Sequence, residues 1–385
     1  MARATAEAPI LKPRVRPRTT PEARWDDLLT GQGRAAKKRS KLIANRSRNW
    51  LIAATTLACA KVKANQSLSD LEQHLVKSLR TKEVGERLIA AMAHVHTATP
   101  AAQKRLMFPD HFAELKTTDS ITFADLAQHA PVLVRETLQG PHVRVLDVDA
   151  IHAGRVRLRE QMTLQPASLD RYGSSILRAV ITEPPTDGTV VTRAAVANRY
   201  TIKASSFRCL EESSEWSASD EVYWLFGSVA KGFQATNGTK TYNGVDAGEA
   251  LNLENDEGCF WGMDCQPHTF PDGDIGAVAT LIEHDEGDQS DVLDGWTIAF
   301  TSAAGVLTAA GVTAWVAAVV AAVGAIGAFF IELLADDHIA DASWTFNRAS
   351  INEVLDKHGG SYDVTQIFSD GDARYKLRIR VSRLV

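Results

Sequence analysis

The chain has little of what would mark a disulfide scaffold, a secreted precursor or a familiar enzyme. Four cysteines in 385 residues cannot staple a fold of this size, so stability must come from apolar burial. Met1 to Thr20 is rich in Pro and Arg and has no apolar core. That excludes a classical signal peptide and leaves the cytoplasm, or export by a non-classical route, as the expected location. No GxSxG, HExxH or dinucleotide fingerprint occurs. The stretch from Gly232 to Lys240 imitates a phosphate loop, but its spacing is wrong and Thr241 follows no Gly-Lys pair. His284 stands between Glu283 and Asp285, yet neighbours along a strand point to opposite faces and cannot share one base. A non-enzymatic role is expected.

Basic residues are nearly missing from one long stretch. Between Cys209 and Asp294 there are 19 Asp/Glu against two Lys, Lys231 and Lys240, a local charge of −17 in a chain of net charge −5. So much like charge repels itself unless it is spread over a solvated surface or neutralised by a cation or a basic partner. Formal charge is then absent altogether from Thr297 to Ile331, 35 residues long. Within it Val312, Val316, Val319, Val323, Ile326 and Phe330 recur at helical spacing, with alanines on the opposite face. One straight helix of that length would span about 52 Å against a bilayer core of about 30 Å. Gly305 and Gly311 offer bends, so a hairpin of two shorter helices is expected, inserted over about residues 295–335. It could line a core, enter a membrane or form an oligomer interface. In the soluble form its bulky face must be covered.

The opposite charge collects at the start. The first fifty residues hold 13 Lys/Arg and four Asp/Glu. Residues 1–24, punctuated by Pro9, Pro13, Pro17 and Pro21, are expected to be a disordered basic arm. The cluster Lys37-Lys38-Arg39-Ser40-Lys41 could touch anionic lipid or nucleic acid; nucleic acid is not expected as a partner except through the basic N-terminal arm. Residues 25–140 carry helical periodicity and read as a domain of about four helices. Ser69 before Asp70 and Thr122 before Phe123 are start signals, and Pro131 should interrupt the last helix. The five histidines of this region show no metal-ligand spacing and are expected at the surface or at caps.

At Pro141 the period changes. Residues 141–198 read as a connecting region with some strand, including His142 to Val148 and Arg155 to Arg159, able to lend a strand to the β-rich C-terminal half. From residue 199 strands dominate: Tyr200 to Leu210, Glu221 to Val229, Ile275 to Ile282, and a last strand in which Tyr375, Leu377, Ile379 and Val381 alternate with Arg374, Lys376, Arg378 and Arg380. The cationic face of that strand needs carboxylates, which the acidic segment could supply. The fold class is therefore α+β: an N-terminal helical domain, then an antiparallel β-sandwich with an inserted apolar helical hairpin. A fragment from about Val196 to Val385 should fold alone.

The runs Cys209-Leu210-Glu211-Glu212 to Asp220-Glu221-Val222-Tyr223, then Val245-Asp246-Ala247-Gly248-Glu249, then Glu283-His284-Asp285-Glu286-Gly287-Asp288 resemble an uncharacterised acidic β-sandwich module of bacterial proteins. The resemblance covers about residues 200–385 and implies a sandwich without implying an activity. The architecture is also similar, more loosely, to calcium-dependent phospholipid-binding β-sandwiches. Ca²⁺ takes six to eight oxygens from flexible loops. The candidate donors are Glu211, Glu212, Asp220, Glu221, Asp246, Glu283, Asp285, Glu286 and Asp288, all near expected strand ends. Cys259 and Cys265 flank Gly262 and form a candidate disulfide pair. Cys59 and Cys209 are expected to be buried. The expected function is a membrane-directed effector or toxin-like protein whose sandwich binds Ca²⁺ or a cationic protein partner and whose hairpin enters membrane lipid. The alternative is a soluble structural or adaptor module whose hairpin is permanently core.

Overall fold

The computed structural model describes residues 19–147, 155, 166–180, 198–213, 220–230, 233–254, 256–261, 265–269, 274–284, 287–310, 316–334, 336–346 and 348–384. Eight helices come first: α1 (Pro21–Thr30), α2 (Arg34–Ala44), α3 (Trp50–Lys63), α4 (Asp70–Leu79), α5 (Gly85–Ala98), α6 (Ala101–Met107), α7 (Asp110–Ala113) and α8 (Phe123–Leu138). The two start signals are capping boxes. The Ser69 hydroxyl accepts from Glu72 N while Glu72 accepts from Ser69 N, and Thr122 and Asp125 do the same for α8.

Three expectations for this region need correction. Four helices become eight, because short connections cut the periodic runs into smaller pieces. Residues 21–24 belong to α1 and not to the arm; Thr20 caps that helix and Trp25 is buried. Pro131 sits inside α8 without ending it, at the cost of one backbone hydrogen bond. Helix α3 is buried on every side through Lys61, which explains why its sequence shows so little amphipathic contrast.

The connecting region supplies β1 (Val143–Asp147), α9 (Pro166–Tyr172) and β2 (Ser174–Val180). The expected strand from Arg155 to Arg159 falls outside the described residues except at Arg155. Then come β3 (Arg199–Glu211), β4 (Asp220–Ala230), β5 (Phe233–Gly238), β6 (Tyr242–Val245), β7 (Ala250–Asn252), β8 (Cys259–Trp261), β9 (His268–Thr269) and β10 (Ile275–Glu283). Two long helices come next, α10 (Gln289–Ala310) and α11 (Val316–Leu334), and the chain closes with β11 (Asp337–Phe346), α12 (Arg348–Lys357), β12 (Ser361–Ser369) and β13 (Arg374–Leu384).

The strands make two sheets. Sheet A runs β1-β2-β11-β10-β4-β5 with β6 on β4; sheet B runs β12-β13-β3-β7 with β8 and β9 also on β3. Sheet B is antiparallel, as expected. Sheet A is mixed, because β1 and β2 join it in parallel register to β11. The connecting region therefore donates two strands. The sheets face each other across an aromatic core that includes Trp224, Phe226, Phe207, Phe260 and Tyr375.

The other face of sheet A carries the hairpin. Val316, Val319, Val323, Ile326 and Phe330 are each at most 4% exposed, while Val312 lies outside the described residues. Helix α10 rests on β4 and β5, α11 rests on β10 and β11, and both are roofed by N-terminal helices, so the hairpin is the shared core of two layers. Each apolar side chain so buried contributes about 1.5–3 kcal/mol. The expected bend at Gly305 does not occur: it lies inside α10, where a Cβ would come within 2.0 Å of the His74 ring. That glycine serves close helix approach. At about 33 Å and 28 Å, the arms of 22 and 19 residues exceed the two short arms expected.

Candidate functional site

The acidic end of the sandwich is met by a basic helix of the same chain. On α2, Arg34 and Lys38 are one helical turn apart and both bind Asp337. Lys37 and Lys41, also a turn apart, approach Asp370 at 3.0 and 3.7 Å. Lys38 further pairs with Glu332 at the end of α11, and Arg34 lies 3.7 Å from Glu283. Spacings of i and i+4 put these four cations on one face. The cluster Lys37-Lys38-Arg39-Ser40-Lys41, expected to touch lipid or nucleic acid, thus spends three of its cations within the chain. Arg39 points the other way and bonds Leu29 O. The acidic residues that matter here (Glu332, Asp337, Asp341 and Asp370) were not among the candidates. Nothing in the sequence signals them, since all four lie beyond the acidic segment of Cys209 to Asp294, which offers many more carboxylates.

Burial shapes the titration of this clasp. Burial pushes Glu332 and Glu283 up, although Lys38 and the Ser213 hydroxyl, respectively, oppose the change. Burial would lower Lys38, but Glu332 and Asp337 override it and hold its pKa up. Asp370 behaves oppositely: despite burial, Lys41 and backbone N–H groups hold it at about 2. Beneath α2 a cavity of about 60 Å³ is lined by Lys41, Arg48, Glu332, His338 and Asp341. Its walls mix these groups with Leu28, Leu42, Ala325, Ala328 and Phe329.

The proposed cation donors are mostly engaged separately. Asp220 and Glu283 are brought together, bridged by the Ser213 hydroxyl at 2.7 and 2.9 Å, and Asp220 also accepts from Tyr375 Oη at 2.5 Å. Glu211 accepts from Arg374, Glu212 from Ala247 N, and Asp288 from Ser290 N. Glu221 and Asp246 are exposed. Asp285 and Glu286 lie outside the described residues. Among the described residues no three His, Cys, Asp or Glu are grouped to hold a metal ion. Cys259 and Cys265 are joined by a disulfide, with Cα atoms 5.3 Å apart, and Cys59 and Cys209 are buried thiols.

His284 has one element of catalytic geometry. Its Nδ1 is 3.4 Å from the buried carboxylate of Asp336, which also accepts from Tyr223 Oη and Gly287 N. An Asp–His pair orients a base, and among the described residues no Ser, Thr or Cys bonds this ring. Through Asp336 the arrangement ties the end of β10 and Tyr223 of β4 to the residue preceding β11. No protein-family model matches the chain, and neither a curated protein nor a solved structure matches it.

Proposed function

We propose that the chain is a soluble, non-enzymatic binding module whose apolar hairpin is permanent core. The fit of the hairpin to glycine seats carries this conclusion. A Cβ at Gly227 would sit 2.3 Å from the Phe300 ring, one at Gly276 1.7 Å from Val320, and one at Gly327 2.4 Å from Trp296. The Trp296 indole N–H also donates to Phe226 O at 3.0 Å inside the core. Mutual keying of this kind supports a helix pair that stays where it is, since leaving would bare the outer face of sheet A and the underside of the helical layer at once.

One observation favours a second proposal, the membrane-directed effector: Val316–Leu334 is long and apolar enough to cross a bilayer. A tether separates the two. Thr236 Oγ1 on β5 and Thr297 Oγ1 on α10 are 3.0 Å apart, so Thr236→Cys with Thr297→Cys can lock the hairpin to the sheet. Dye release from liposomes is then measured for locked, reduced and wild-type protein between about pH 5 and 8, with Ca²⁺ or EDTA. Intact liposomes in every arm support permanent core. Release by the reduced and wild-type forms alone establishes insertion, and dependence on Ca²⁺ would bring the calcium proposal with it.

A further inference from the structure

We propose that the outer face of sheet B docks on an anionic lipid bilayer. This names a partner for the binding module and rests on that proposal. The face is built from the outward positions of β3 and β13, whose register sets Lys376 opposite Arg208 and Arg380 opposite Lys203. Like charges directly opposite one another weaken a sheet. Charged residues often guard sheet edges, but β13 and β3 are interior strands of sheet B, so edge protection does not account for them.

Internal neutralisation is incomplete. Asp363 on β12 serves both Arg378 and Arg380, and Asp256 lies near Lys203. Arg374 is matched by Glu211 and Asp170. Arg208 donates to Gly248 O, and among the described residues neither it nor Lys376 has a carboxylate within ion-pair distance. Among the described residues the acidic segment therefore supplies only Glu211 to the cationic face of the last strand; Asp363, which holds two of its arginines, lies outside that segment. A surplus of positive charge is left on a solvent-facing sheet surface in a chain that is acidic overall.

Two features select a bilayer over a nucleic acid. Leu210 and Leu384 stand outward near opposite ends of the face, 36% and 57% exposed, placed to enter the interface while the cations between them meet headgroups. No aromatic side chain occupies the outward positions of β3 or β13, so bases would find nothing to stack on there. The hairpin lies on the far side of sheet A, so docking by this face needs no movement of the hairpin.

The test is flotation of the full chain with vesicles of phosphatidylcholine alone or with about a third phosphatidylserine. Wild type and the locked Thr236→Cys/Thr297→Cys form should both float with phosphatidylserine vesicles at low salt, stay behind with phosphatidylcholine, and be released as salt rises. Arg208→Gln with Lys376→Gln should lower partitioning about 25-fold, since each cation near such a surface contributes about five-fold. Circular dichroism and melting confirm that the variant is folded; a second pair, Lys376→Ala with Leu384→Ala, replaces it if it is not. The proposal is overturned if neither wild type nor locked protein floats, if the variants float like wild type, or if a single-stranded oligonucleotide binds through these residues while vesicles do not. If only the unlocked protein floats, the hairpin is the membrane element, and both this face and the permanent-core proposal fall; dye release without loss of flotation by the locked form would remove the latter alone.

Discussion

The guanidinium of Arg48 donates to the carboxylate of Asp341 at 2.8 Å across 293 positions of sequence, with both residues buried. The same guanidinium donates to Ala321 O on α11 at 3.1 Å and to Asn45 Oδ1 at 3.2 Å. One side chain thus ties the helical layer, the hairpin and sheet A together. Burial pushes the Asp341 carboxyl up, opposed by Arg48 and then Lys41.

Removing Arg48 should be costly, because it strands a buried carboxylate. Arg48→Met is expected to lose about 3–5 kcal/mol of stability in urea titration. Arg48→Met with Asp341→Leu should recover a large part of the loss, since the pair replaced by apolar groups leaves no orphan charge. A double variant as unstable as the single one would show that the hydrogen bonds to Ala321 and Asn45, and not the ion pair, dominate.

The glycine seats under the hairpin make a complementary prediction. Gly276→Ala drives a methyl into Val320 and should cost about 1–3 kcal/mol, the usual range for overpacking. Val320→Ala alone opens a cavity and should cost a similar amount. Combined, the two changes should be less damaging than their sum, because the methyl at residue 276 enters the space that Val320 leaves. Strict additivity in a double-mutant cycle would deny the contact.

The three-dimensional arrangement argues against the expectation that a fragment from about Val196 to Val385 folds alone. The fragment looked self-sufficient because the sandwich strands all lie beyond residue 198. It would, however, lose α1 to α8 with β1 and β2, and so bare the upper side of the hairpin and one edge of sheet A. Expressed alone it is expected to aggregate; co-expressed with residues 19–180 it should become soluble. A monomeric, cooperatively melting fragment would show that the helical layer is dispensable.

These outcomes depend on which signals are local. The alternation of Tyr375, Leu377, Ile379 and Val381 with four cations is visible within one strand, and β13 forms where it should. The α+β class and the need to cover Val319 and Phe330 are equally legible. What covers them is not, because the bonds of Arg48 and α2 to β11 join residues about three hundred positions apart. Gly305 and Pro131 mislead for a different reason: a glycine reads as a bend and a proline as a stop until the ring of His74 and the intact α8 are in view. The proposed cation donors share strand ends in sequence, but among the described residues only Asp220 and Glu283 share a partner in space, Ser213.

Acid should destabilise the protein through histidines buried in neutral form. Burial, aided by Lys104, lowers His96 to about 4, and burial, aided by Arg48, lowers His142 to about 3. His338, enclosed near Lys41, Arg48 and Lys38, is also lowered by burial. A histidine with a depressed folded pKa binds its proton more readily when unfolded. Its stabilising contribution is therefore complete above the unfolded value of about 6.5 and declines as pH falls toward the folded value. Each group loses up to about 1.4 kcal/mol per pH unit inside its window, so His96 and His142 together should remove about 3 kcal/mol between pH 6.5 and 5. The raised carboxyls Glu283, Glu332 and Asp341 act in the opposite sense, since the native state takes up their protons first; they blunt the slope. Urea titrations at half-unit intervals measure it directly. His96→Gln should flatten the curve by about one proton between pH 6.5 and 4, and His142→Gln by another reaching lower. Wild-type stability that stays level from pH 7 to 5, with both variants parallel to it, would mean that these rings are charged or solvated in the folded protein.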